Sequence, residues 1–266
     1  MQGITEEKKR VLKKIIIGVC ISVAFIFLVA KVVIPNYNYK AALDAYMALH
    51  DYTEAEKADS ERELLKCARV GDSVYFGSYQ QLSSNSYKQR IEWRVLAKED
   101  NKILVISEYV LDRQPYDEQE RKKVTWETCT LRSWLNSTFL DDAFSMDEQS
   151  MILTSKVTAD KNPDYEDVNP GNDTTDKVFL LSISEVKKYL PFADQRKCDM
   201  TDYICAQLFL YYKINGHAVT NWTLRSPGSF QDHCAGVRAD GQIDCWGTGV
   251  SGLAIIRPAM WISLDD

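Results

Sequence analysis

The stretch that decides the fold is Asn221-Trp-Thr-Leu-Arg-Ser-Pro-Gly228, continued through a turn at Asp240-Gly241 and closed by Arg257-Pro-Ala-Met-Trp-Ile262. The first run ends in a rigid Pro-Gly turn, and Asp-Gly is the residue pair a tight hairpin tip demands. Ala259-Met-Trp-Ile-Ser-Leu264 has the pattern of a buried closing strand. Arg225 and Arg257 stand inside these apolar runs. A cation there is either held by acceptors in the core or aimed at a ligand, and both readings stay open.

Upstream, Val70-Gly-Asp-Ser-Val-Tyr-Phe-Gly-Ser-Tyr79 reads as a short strand bounded by glycines. Ile91–Ala97 and Ile103–Tyr109 come next as two strands, with Glu99-Asp-Asn-Lys102 as the polar tip between them, and residues 83–86 form a polar loop. Helical signals take over in the middle. Leu131, Trp134, Leu135 and Phe139 recur at helical spacing and form one apolar stripe. Ser145/Glu148 and Ser182/Glu185 have capping-box spacing and predict short helices over 147–153 and 183–190, with another over 201–212. Helices enclosed between two β-rich ends define an α+β class.

The 266 residues, 45% hydrophobic and 26% charged, suffice for one sizeable domain with accessory segments. Ile15–Ile34 is an apolar run of 20 residues in which only Lys31 is charged, the length a helix needs to cross a bilayer. Lys8, Lys9, Arg10, Lys13 and Lys14 precede it, so the positive-inside rule keeps the N-terminus in the cytoplasm and exports the chain beyond Pro35. The alternative is a cleaved signal peptide with Leu28-Val-Ala30 as its processing site, although the run exceeds the usual apolar region of about 7–15 residues. The chain is thus read as a cytoplasmic tail (1–14), a transmembrane helix (15–34), a helical stalk (35–69) and an extracellular α+β domain (70–266). Within the stalk, Tyr39–Tyr46 and Asp51–Ala55 resemble a fragment of a tetratricopeptide repeat, a unit that needs stacked neighbours to bury its face. The stalk is therefore either a spacer or a docking element.

Six basic residues and two acids precede Pro35, which leaves 26 basic against 36 acidic residues beyond it, a net charge of −10. That balance argues against nucleic acid as a partner. Outside the apolar run lie Cys67, Cys129, Cys198, Cys205, Cys234 and Cys245, without any CxxC pair, so neither a zinc site nor a thioredoxin motif is indicated. Cys234 and Cys245 flank the Asp240-Gly241 turn and are the candidate disulfide. Small buried thiols are the competing reading.

Asp160–Asp176 gathers six acids around two prolines and a glycine, and offers the oxygen ligands that calcium takes. The spacing is not that of an EF-hand; Asn172, Asp173 and Asp176 are the first candidates if a metal binds, and a solvated acidic loop is the plain alternative. His50, His217 and His233 are the only imidazoles. His233 beside Cys234 in a strand would face away from the thiol, which weakens a Cys–His nucleophile. The ligand-binding candidates are Trp222, Arg225, Phe230 and Trp246, the aromatics among them expected at the surface because they neighbour turns.

Gly71–Tyr79, Glu92–Leu96, Trp126–Arg132, Trp134-Leu-Asn136, Gly171–Thr174, Lys177–Ser182, Leu224–Gly228 and Arg257–Trp261 resemble, in this order, an uncharacterised bacterial domain-of-unknown-function family of exported or membrane-anchored Firmicutes proteins. The likeness spans residues 70–264. Its C-terminal pattern is in turn similar to the C-type-lectin-like fold of sulfatase-modifying factors and phage variable receptors. That resemblance implies that Arg225 and Arg257 come together in the core and tie the loop after Trp222 to the final strand. It also implies, for the oxygenases of this fold, copper held by two closely spaced cysteines, a spacing that Cys234 and Cys245 do not have. The function expected is a single-pass, surface-displayed module binding a carbohydrate or protein of the cell envelope. The alternatives are an exported enzyme using Cys234/His233 or the acidic loop, and an accessory subunit docking through its stalk.

Overall fold

A computed structural model describes residues 54–83, 87–119, 122–207, 212–214 and 217–265. The chain divides into two compact units, Met1–Ala68 and Arg69–Asp266. In the first, helix α1 (Glu54–Cys67) is described. The expected transmembrane segment lies outside the described residues, and among those described no helix is long and apolar enough to cross a membrane.

The second unit mixes helix and sheet and is dominated by antiparallel strands. β1 (Ser73–Gln80), β2 (Lys88–Glu99) and β3 (Lys102–Ser107) form the meander expected from the sequence. The closing strand β9 (Ala259–Ser263) then inserts beside β3, opposite Ile106 through Lys102. Two short strands, β4 (Ile152–Leu153) and β5 (Val178–Phe179), pair with its other side. The C-terminal strand is therefore central, and Ala259, Met260 and Ile262 are fully buried. A position between strands on both sides, covered on both faces, explains why β3 reads as a continuous apolar run and not an alternating one.

Within β1, Gly77 stands in the left-handed region with φ 68° where the register to β2 shifts. A Cβ there would come within 2.4 Å of the Phe144 ring, so this bulge admits only glycine. The approach closes the seam between sheet and helices, where Phe76, Trp93, Phe139 and Phe144 pack ring on ring.

The helical layer runs through α2 (Thr130–Trp134), a π-helical turn (Leu135–Phe139) and α3 (Leu140–Ala143). Leu131, Leu135 and Phe139 of the stripe are buried, and Trp134 packs on Phe139 at 5.6 Å. Asn136, in the π turn, accepts from the Lys177 and Val178 N–H groups and so fixes β5 to this layer. Both capping boxes are present, at the heads of α4 (Met146–Met151) and α5 (Ile183–Tyr189). The helix expected over 201–212 is shorter: α7 (Asp202–Gln207) comes after a single turn, α6 (Ala193–Arg196), and residues 212–214 are extended.

The C-terminal block makes a separate three-stranded sheet of β6 (Trp222–Pro227), β7 (His233–Val237) and β8 (Ile243–Gly249), with the expected hairpin turn at Asp240-Gly241. Between Cys234↔Thr248 and Gly236↔Asp244 the register slips, because β8 carries the extra residues of a bulge over 245–247. Gly247 closes that bulge at φ 77°, with its missing Cβ 2.2 Å from the Cys234 carbonyl. The bulge offsets Cys234 from Cys245, the candidate disulfide pair. Cys234 faces Thr248 across the ladder, and both cysteines are free.

Candidate functional site

The sequence grouped Trp222, Arg225, Phe230 and Trp246 as ligand-binding residues, and the structure divides them. Trp222 is buried, not exposed: it is 1% accessible and donates its indole N–H to the Arg196 carbonyl at 2.9 Å. All six residues of β6 are inward or covered, so a position next to a turn does not bring its ring to solvent. Arg225 is also withdrawn from any ligand. Its guanidinium binds the Leu180 carbonyl at 2.7 Å, the Thr158 carbonyl at 3.2 Å and the Glu185 carboxylate. It sutures β6 to α5 and to the strand before it. Arg257 is fully buried, binds the Ser107 carbonyl at 2.9 Å and lies over the Trp222 ring.

Phe230 and Trp246 are exposed, at 53% and 55% accessible. Their rings stand perpendicular, 5.7 Å apart. A third ring joins them: Tyr165 meets Trp246 at 6.0 Å and 81°. His233 closes the row against Phe230 at 5.3 Å while holding Asp232 at 2.8 Å. The result is a corner of aromatic rings packed edge to face at the surface.

Several hydrogen bonds hold this corner in place. Asn162, wholly buried, donates to the Pro227 and Cys245 carbonyls at 2.8 Å each, and accepts the Asp164 N–H at 3.0 Å. One amide thus pins the acidic loop to two strands and delivers Tyr165 to Trp246. Gln231 pins the other side, donating to the Asn169 carbonyl at 2.9 Å and accepting the Asn169 N–H at 3.1 Å. Within the bulge, the Asp244 carboxylate accepts the N–H groups of Trp246 and Gly247 at 3.1 and 3.2 Å. The Ser229 N–H donates to the Trp246 carbonyl at 2.9 Å. Rings held by their own backbone in this way lose little freedom on binding.

Beside the corner, a cavity of about 210 Å³ is lined by Thr223, Gly236, Asp244, Gly247, Thr248 and Ile255 among others. The two features share Asp244 and Gly247. Below them, burial and the Asp164 carboxylate push the Cys245 thiol up to about 11.

The calcium candidates do not converge. Asn172 binds the Glu127 carboxylate, Asp173 pairs with Lys156 at 2.8 Å, and Asp176 is buried, accepting from the Trp126 indole at 3.0 Å and from Arg132 at 2.6 Å. Among the described residues no group of three or more His, Cys, Asp or Glu side chains could hold a metal ion. Nor does the geometry bring the enzyme candidates together: His233 sits at the surface with Asp232, whereas Cys234 is buried with its thiol 3.7 Å from the Thr248 carbonyl.

Tyr165 and Asn162 were missed by sequence reasoning. The signal that could have found them is that Tyr165 is the one aromatic residue in the acidic loop, which has no use for an aromatic if it is merely solvated.

Residues 100–264 match the family model described as Domain of unknown function (DUF6273), and the chain belongs to that family. No curated protein and no solved structure matches it.

Proposed function

We propose that this protein is a membrane-anchored recognition module of the cell surface, with its N-terminus in the cytoplasm, residues 15–34 in the membrane and the domain from residue 70 outside. The observation that carries the recognition role is the corner of Tyr165, Phe230 and Trp246, two of whose rings are more than half exposed yet held by a hydrogen-bonded frame. Exposed aromatics cost a soluble domain solubility and give it no core. Rings pinned at a surface bulge supply contact area to a ligand, and the hydroxyl-lined cavity beside them supplies polar partners. The apolar run flanked by five basic residues supports the anchor. The lectin-like likeness of the Trp222 and Arg257 motifs fits this division of labour: those residues build the frame, and the loops beside them carry the ligand.

The test is a screen of envelope glycans, peptidoglycan fragments and extracellular proteins against the full chain in detergent, with Phe230→Ala and Trp246→Ala beside the wild type. One ligand class retained by the wild type and lost by both variants is expected. Ligands that bind all three proteins equally would show that the corner is not the site. Protease treatment of intact cells should remove the domain from residue 70 while sparing the N-terminal tail; full protection would refute the topology.

A further inference from the structure

Resting on the recognition role just proposed, we infer that the cavity beside the aromatic corner is a pocket for one uncharged sugar ring, and that Gly236 keeps it open. The strand ladder sets the geometry. Thr223 pairs with Gly236 and Gly236 with Asp244, so the three stand in one row across β6, β7 and β8 and face the same side of the sheet. All three line the cavity of about 210 Å³. The middle of that row is bare, and the backbone does not require it to be. Gly236 is not among the positive-φ glycines, and a Cβ on it would meet only the Trp222 carbonyl, with the oxygen at 3.1 Å. A shift of a few tenths of an ångström would admit a side chain, which would then stand in the cavity between Thr223 and Asp244. A glycine inside a strand weakens it and marks a place where another group comes close.

The second ground is the chemistry of the wall. Thr223, 7% accessible, accepts the Ile255 N–H at 3.1 Å and keeps its own hydroxyl proton to donate. Asp244 spends Oδ1 on the two N–H groups of the bulge, which leaves Oδ2 as an acceptor. The Arg238 guanidinium, the Asn221 Nδ2 and the Thr248 hydroxyl have no hydrogen-bond partner among the described residues, and all three residues line the cavity. One cation and one anion balance, so a carboxylate on the ligand would face Asp244 and an ammonium would face Arg238. A hydroxyl both donates and accepts, and a ligand carrying several satisfies this mixed wall. Leu253, 47% accessible, and Ile255 supply an apolar side for the ring carbons. The volume is below the range of drug-sized pockets, about 300–1,000 Å³, which limits the occupant to a single ring.

The experiment titrates glucose, galactose, mannose and N-acetylglucosamine into the full chain in a sugar-free detergent, with glucuronate and alanine as anionic and zwitterionic probes. Saturation-transfer NMR reads the binding curves. At least one neutral sugar should saturate. Gly236→Val, which fills the cavity, should weaken it at least about tenfold, as should Asp244→Asn, which keeps an oxygen for the bulge and turns the other acceptor into a donor. Thr248→Val, nearly isosteric and at an exposed position, should weaken it about fivefold while leaving the urea midpoint unchanged, which separates lost binding from lost folding. Neutral-sugar binding that is equal in the wild type, Asp244→Asn and Thr248→Val would overturn the inference, as would preference for glucuronate or alanine, or no saturation by any neutral sugar. Where it fails in one of these ways, a ligand that still requires Trp246 keeps the recognition role. A neutral sugar that requires Gly236, with no ligand requiring Trp246, would keep the pocket and sink the corner.

Discussion

The guanidinium carbon of Arg257 lies 5.1 Å from the centre of the Trp222 ring, and both side chains are sealed in the interior. This pair joins the strand that opens the C-terminal block to the residue that leads into its last strand. Only Nε of Arg257 is bonded, to the Ser107 carbonyl; neither Nη1 nor Nη2 has a hydrogen-bond partner among the described residues. A flat, weakly hydrated cation spread over an indole face is tolerated where a compact one is not. Arg257→Lys should therefore destabilise the domain by about 2–4 kcal/mol, since it buries an ammonium that cannot stack. Arg257→Met, which keeps the volume and removes the charge, should be the more stable of the two variants. Urea midpoints rank them, and a lysine variant as stable as the wild type would refute this account.

Trp222 and Trp246 are the same residue type in one small sheet and should behave oppositely. Trp222→Ala empties a core position and loses the bond to the Arg196 carbonyl, for about 3–5 kcal/mol. Trp246→Ala removes an exposed ring and its edge contacts, for less than about 1.5 kcal/mol, and should instead abolish ligand binding. Thermal unfolding of the two variants would contradict the division of frame from site if their losses were alike.

Glu148 should set part of the acid sensitivity. Burial pushes its carboxyl up, but the Ser145 N–H at 2.9 Å, the Arg90 guanidinium at 2.8 Å and the Gly77 N–H at 3.0 Å outweigh this and hold it below the usual carboxylate range. A carboxyl depressed in the folded state binds fewer protons there than when unfolded. Its stabilisation is complete above its unfolded value, about 4.3, and is lost as pH falls through the folded one. Glu148→Gln should thus be less stable than wild type at pH 7 by about 1–3 kcal/mol, with the gap narrowing as pH drops below about 4. Denaturant unfolding across that range checks it; a gap that widens in acid would be the wrong sign.

The thiols should be inert. Burial pushes Cys129 and Cys234 up to about 12 and Cys198 up to about 11, so the reactive thiolate is scarce and shielded. Labelling the folded chain at pH 8 with a thiol reagent should spare these three until denaturant is added. A non-reducing peptide map should show no link between Cys234 and Cys245, and finding that link would mean the bulge register is wrong.

Local patterns were legible because they depend on neighbours in sequence. The meander of β1 to β3, the stripe from Leu131 to Phe139, the two capping boxes and the Asp240-Gly241 turn each follow from spacing and backbone preference alone. The sequence by itself thus determined most of the strand and helix inventory and the acidic balance of the chain. Tertiary structure alone decided which turn-flanking aromatics are buried, since Trp222 and Trp246 differ in what packs over them. It also decided the bulge that separates Cys234 from Cys245, and the clamp of Asn162 that carries Tyr165 to Trp246 across 81 residues of sequence. Those outcomes depend on closing distant loops onto one another, and no local period records which loops will meet.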